Sequence, residues 1–217
     1  MATKAALFNE ALMELGHKSL SDTGEDVEAG RVLNEVWTQV VDDCLKTGSW
    51  NFSMETIKAV ADTGVVPAFG YPEVFAKPAD WVRTIGVSED EYFSFPLLHY
   101  YDDANYWSAD SSTIYVRYVS DDTGLGYELT RWPASFRRFV ALELALRTCT
   151  RLTQSTPGQS GLYEGVKERL DDARRAALNV DAMNEPQPKF APQGAWNSSR
   201  SGRSGRGDRG SRSNLTG

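Results

Sequence analysis

The residues able to do chemistry in this chain are few and scattered. His17 and His99 are the two imidazoles, and neither belongs to a metal-ligand motif, so zinc chemistry is not expected. Paired carboxylates occur at Asp42/Asp43, Asp102/Asp103, Asp121/Asp122 and Asp171/Asp172. Two carboxylates with different environments can divide acid and base roles. Adjacent ones, however, mark solvated faces and turns more readily than a site. Gly124-Leu125-Gly126 follows a strand-like run but does not complete a dinucleotide fingerprint, and no helix begins there. Pro157-Gly158-Gln159-Ser160-Gly161 has the wrong glycine spacing for a nucleophile elbow. Cys44 and Cys149 fall on apolar helical stripes and read as reduced core thiols, with a disulfide or metal pair as the alternative. No nucleophile, base and orienting group come together. The sequence predicts no enzyme, no cofactor and no metal.

What remains is charge. Arg200, Arg203, Arg206, Arg209 and Arg212 recur every third residue in a Ser/Gly background. Residues 195–217 carry a net +4, residues 1–194 a net −11, and together they give the −7 of the whole chain. Pro- and Gly-rich sequence from Glu185 onward cannot build a core. Phe190 and Trp196 are its only aromatic anchors. Residues 185–217 therefore predict an extended cationic arm on an acidic body, spanning roughly 100 Å when fully extended. The candidate partner-binding residues are Phe190, Trp196, Arg200 and Arg203. Burying each aromatic yields roughly 1.5–3 kcal/mol, against about 1–2 kcal/mol per ordered residue. One arm alone is a weak grip, so the arm implies an oligomer. Arg206-Gly207-Asp208 spells an RGD, a chance product of that composition. The Asn-x-Ser/Thr triplets at Asn51, Asn197 and Asn214 carry no weight without a leader sequence.

Four helices must hold the body. The first runs from about Thr3 to Leu15, its stripe including Phe8 and Leu12, and reads as a helix and not a signal peptide. The second follows Ser21, Asp22 and Thr23, all candidate caps, and closes at Gly48. The third opens at Trp132-Pro133, with Pro133 in the first helical position. It is apolar around most of its circumference, which makes it the central helix. The fourth spans about Ser160 to Met183. Between the second and third, residues 50–54, 81–87, 91–95 and 113–119 read as strands. The many aromatics there exceed what a small sheet buries, leaving a sticky rim. No segment is long and apolar enough to span a membrane. The expected fold is mainly α: a helical bundle (1–48 and 132–184), a β-rich insertion (49–131) and an extended C-terminal arm (185–217).

These segments carry a resemblance. ALFNEALMELGHKSLSDTGED at 6–26, EVWTQVVDDCLKTGSWNFSM at 35–54 and FGYPEVFAKPADWVRTIGV at 69–87 occur in order, followed by IYVRYVSDD at 114–122. WPASFRRFVALELALRTCTRLTQS at 132–155 and DAMNEP with PQGAW complete the series. In this order they resemble the head-to-tail adaptors of tailed bacteriophages, of the tail tubular protein A type found in short-tailed phages. Residues 200–217 have no counterpart in that resemblance. The likeness implies a structural protein at the head-tail junction of the virion, made in the host bacterial cytoplasm. It implies a dodecameric ring of neighbouring copies between the phage portal protein and a downstream tail tube or nozzle protein, used in assembly and genome ejection. In such adaptors the C-terminal segment embraces the portal or a neighbouring subunit. Genome DNA would pass the acidic channel without specific binding. Two other classes stay open: a nucleic-acid-binding protein acting through its Arg/Gly/Ser end, and a cell-wall hydrolase.

Overall fold

The computed structural model describes residues 3–24, 27–65, 67, 69–94, 96–158 and 161–184. The chain divides between Asn184 and Glu185, and the described residues all fall before that division. Phe190, Trp196, Arg200 and Arg203 therefore lie outside the described residues.

The helices stand close to where their periodicity puts them: α1 (Lys4–Glu14), α2 (Glu28–Lys46), α3 (Ala134–Thr153) and α4 (Gly161–Asn184). Thr3 caps α1 by accepting the Ala6 N–H through its hydroxyl at 3.2 Å. The caps expected for α2 are not used. Its N-cap is Val27, without a side-chain bond, and Asp22 instead accepts the Thr23 N–H in the preceding loop. Pro133 is the N-cap of α3 and not its first helical residue. α3 packs against α1, α2 and α4.

The mainly-α expectation is overturned by the strands. There are six: β1 (Met54–Val60), β2 (Glu73–Ala76), β3 (Trp81–Ser88), β4 (Tyr101–Asp102), β5 (Tyr106–Ala109) and β6 (Thr113–Ser120). They form two three-stranded antiparallel sheets, ordered β1-β6-β3 and β2-β5-β4. The fold is mixed α and β, with the first sheet shared between two cores. On one face Ile114 and Val116 of β6, aligned with Ala59 and Ile57 of β1, join Phe75 and Trp107 of the second sheet. On the other face Val119, with Val82 and Ile85 alongside, packs into the helical core. Opposite side-chain parity along one strand makes both contacts possible. The β region is thus a structural layer of the body and not an appendage to a bundle.

Residues 50–54, expected as a strand, make a tight turn in which the Ser53 N–H reaches Trp50 O at 3.0 Å, and the strand starts at Met54. Residues 91–94 are no strand either. The Asp90 carboxylate accepts the N–H groups of Tyr92 and Ser94, both at 3.2 Å, and Phe93 takes a positive φ of 52°. A side chain that satisfies its own following backbone outcompetes a ladder there.

An aromatic chain binds the layers. Phe8 meets Trp37, Trp37 stacks on Trp132, and Trp132 sets its edge against Phe136. Phe136 in turn contacts Trp50 and Phe52, at centroid distances of 4.7 and 4.8 Å. The Trp50 indole N–H closes the junction on Cys44 O at 2.9 Å. Gly48 is needed beside it, since a Cβ there would lie 2.7 Å from the Trp50 ring. Gly126 is needed for the same reason, its virtual Cβ falling 2.2 Å from Ser120 O.

Candidate interaction surface

The sequence-level candidates for acid–base chemistry are dispersed by the fold. Asp42 accepts the Tyr127 hydroxyl, and Asp43 pairs with Arg147. Asp102 pairs with Lys77, Asp122 accepts the Gly124 N–H at 2.7 Å, and Asp172 pairs with Arg175 on the surface of α4. Asp42 and Asp43 thus serve different partners, while Lys77 and Arg175 each bond one carboxylate and the neighbouring backbone carbonyl of their pair. His17 and His99 are exposed and lie in separate parts of the fold. Among the described residues no group of three or more His, Cys, Asp and Glu is arranged to hold a metal ion, and no helix is long and apolar enough to cross a membrane.

One polar knot ties the first sheet to its neighbours. The Tyr118 ring is buried, and its hydroxyl lies 3.0 Å from Glu55 Oε2 and 3.2 Å from Asp80 Oδ2, while the Ser120 hydroxyl donates to Asp80. Burial, then the Glu55 and Asp80 carboxylates, push the Tyr118 hydroxyl far above the ordinary tyrosine range. Burial and the Asp42 carboxylate do the same to Tyr127. Both phenols are thus held as neutral donors, which suits fastening and not proton transfer at neutral pH.

Asp121, in the same region, has its carboxyl raised by burial first and then by Asp42 and Asp80. A carboxyl raised in the folded state favours folding in its neutral form. That advantage is full below the unfolded value and is lost as pH rises through the folded one. Asp121→Asn is accordingly expected to raise the melting temperature at pH 7, with the gain shrinking toward zero near pH 4. Thermal scans of both proteins across that range check it. A variant less stable than wild type at pH 7 would show that the Asp121 charge is needed, not merely tolerated.

A cavity of about 230 Å³ opens between α2, α3 and α4. Cys44, Phe139 and Leu170 supply its apolar wall, and Asp43, Glu143 and Arg147 ring it. Arg147 is already committed to Asp43 at 2.5 Å and to Glu143 at 2.9 Å. Burial pushes the Cys44 thiol well above the range in which it would ionise, so it is a packing group and no nucleophile. Cys149 is likewise a buried free thiol.

The feature with the clearest use is apolar and exposed. Phe69 is 87 %, Leu98 80 % and Tyr92 79 % exposed, all on loops of the β layers, with Val60 and Tyr101 also open to solvent. Tyr71 packs on Tyr101 at 4.8 Å, and Gly70 lets the loop close on that ring, since a Cβ there would lie 2.9 Å from it. Phe69, Tyr71 and Tyr101 thus share one surface patch beside the second sheet. On the first sheet Lys58 lies 6.0 Å from the Tyr115 ring and Arg117 lies 4.8 Å from that of Phe93. Large exposed apolar groups rimmed by polar ones mark contact surfaces. The aromatic excess in the sequence pointed to this rim. Leu98 and Val60 were missed because an apolar residue in a strand or loop is read as core by default. No family model matches the chain, and no curated protein matches it either.

Proposed function

We propose that the chain is a structural adaptor of a tailed-phage virion. It would join the portal protein to a tail tube or nozzle protein as a ring of copies around the DNA channel, without enzymatic activity. The observation that carries this reading is the exposed apolar rim of the β layers, on a body whose charge is strongly acidic. The rim suits a protein partner, and the acidic body suits a wall past which phosphates slide. The ordered series of segments that resembles such adaptors supports the same reading. In it, Phe190 and Trp196 anchor the arm on the portal or a neighbour, and Arg200 and Arg203 supplement that grip electrostatically.

Imaging of the intact particle tests this by locating the chain and counting its copies. In solution the isolated chain is expected to be largely monomeric, because acidic bodies repel and one arm is a weak grip, and addition of portal should produce rings. A stable ring of the protein alone at micromolar concentration and moderate salt contradicts partner-driven assembly. The second reading, nucleic-acid binding, is favoured by the two cations set over aromatic rings on the first sheet. It predicts strong, salt-dependent DNA binding that is lost on deleting residues 197–217.

A further inference from the structure

Protein interiors are close-packed and leave few gaps larger than a water molecule. The cavity between α2, α3 and α4 departs from that rule. Its floor is apolar and closed: Cys44 is 1 %, Phe139 2 % and Leu170 7 % exposed. Its volume of about 230 Å³ falls below the roughly 300–1,000 Å³ that holds drug-sized ligands. It exceeds the roughly 150 Å³ of a dry apolar cavity that takes up benzene. The space suits a single apolar group of modest size.

The mouth is charged, and part of that charge is used internally. Arg147 bonds Asp43 and Glu143 at once, so two carboxylates share one cation and a negative charge is left over. α4 adds Asp171 and Arg174, which stand with Leu170 on one face of the helix and line the same cavity. Both are exposed. Among the described residues the Arg174 guanidinium makes no hydrogen bond or ion pair, and neither does the Asp171 carboxylate. Only the Asp171 backbone carbonyl is engaged, by Arg175, whose own carboxylate partner is Asp172. Residues three apart on a helix are near enough to pair, yet Asp171 and Arg174 stay apart. The cavity mouth thus offers one open anion and one open cation above an apolar floor.

We propose that this cavity binds a free α-amino acid with an apolar side chain of modest size, such as leucine, methionine or phenylalanine. The side chain packs on Cys44, Phe139 and Leu170. The ammonium group donates to Asp171, on the side where the cluster around Arg147 has its surplus negative charge. Arg174 donates to the carboxylate, whose planar pair of oxygens its fork matches. Other small amphiphiles fit less well. A fatty acid leaves Asp171 facing a second anion, and a simple amine leaves Arg174 unmatched. An internal residue of a peptide carries neither charge. The site is separate from the apolar rim of the β layers and is independent of the adaptor reading. Because α2, α3 and α4 all contribute to it, occupancy stabilises the helical body by mass action.

The test uses the full-length protein, titrated with L-leucine, L-methionine and L-phenylalanine while binding heat and melting temperature are followed. At least one of them is expected to saturate and to raise the melting temperature with concentration. Analogues that lack one charge, isoamylamine and isocaproate in the case of leucine, should bind at least ~10-fold more weakly, since each forfeits a charge-assisted hydrogen bond. Arg174→Gln should weaken the amino acid ~10-fold and leave the amine unchanged. Asp171→Asn should weaken the amino acid similarly and leave the acid no weaker. Both positions are exposed, so neither substitution endangers the fold. Arg175→Gln, one position along, should change nothing. Failure of all three amino acids to saturate at millimolar concentration would overturn the proposal, as would an amine that binds as tightly as the amino acid. Equal losses with Arg174→Gln and Arg175→Gln contradict it too. So does equal binding of N-acetyl-leucine methylamide, which carries neither charge and would make the cavity a socket for a side chain of another protein. Loss of binding with Arg174→Gln and Asp171→Asn but not with Arg175→Gln establishes the site, whether or not the chain binds portal.

Discussion

Trp50→Ala is expected to destabilise the body by about 3–5 kcal/mol, the range for deleting a large buried aromatic. Trp50 is 1 % exposed and touches Phe52, Phe136 and Phe139, so it bridges the turn into β1 and the central helix. Its loss also removes one of the donors to Cys44 O near the end of α2, which Thr47 shares. Relaxation of Gly48 and Leu178 into the space is limited by the chain already packed there. For a body of this size each kcal/mol shifts the melting temperature by about 2–4 °C, so a drop on the order of 10 °C should appear. The shape of the transition carries further information. Because the first sheet belongs to both cores, helix loss and tryptophan fluorescence change should remain coincident in wild type and variant. Two separated transitions, or a destabilisation below about 1 kcal/mol, would mean that the layers fold independently and that the shared core is not cooperative.

That shared sheet is also what the sequence revealed least. The helices were legible because each repeats its apolar positions over ten or more residues, enough to fix a period even where the cap of α2 was misplaced. β3 and β6 were legible as long, Val- and aromatic-rich runs. β2, β4 and β5 have four residues or fewer, too short for any period, and the pairing of β2 with β5 joins segments distant in the chain. In β1 the alternation of Glu55, Ile57 and Ala59 with Thr56, Lys58 and Val60 mixes polar and apolar residues on both faces, which hid the strand. The two-sided role of β6 was visible as alternating apolar residues, yet nothing local says that Ile114 and Val119 enter different cores. The turn at Asp90 displaced the strand expected at 91–95, over its described residues 91–94, because the two oxygens of one carboxylate are enough to redirect a short segment. At the candidate surface, composition foretold an aromatic excess but not its positions, since exposure at Phe69 or Leu98 depends on which side each loop leaves its sheet.

The combined replacement Phe190→Ala and Trp196→Ala is expected to leave the melting temperature of the body unchanged while strongly weakening ring assembly with portal. Both residues follow α4 in the chain, in a stretch whose Pro- and Gly-rich composition builds no core. Each arm would lose roughly 3–6 kcal/mol of gross burial. The net loss is smaller than that, because ordering a chain segment already offsets much of the gain. A ring repeats the deficit at every interface, so even a modest loss per arm is amplified into failure to close. Replacing Arg200 and Arg203 with Gln should behave differently. Exposed charge pairs contribute about 0–1 kcal/mol each and are screened by salt, so assembly should slow at low ionic strength and be unaffected at high. Sedimentation of portal mixtures across a salt series separates the two cases. Should the double aromatic variant assemble with wild-type affinity, the arm is not the grip, and the exposed apolar rim of the β layers must hold the ring without it.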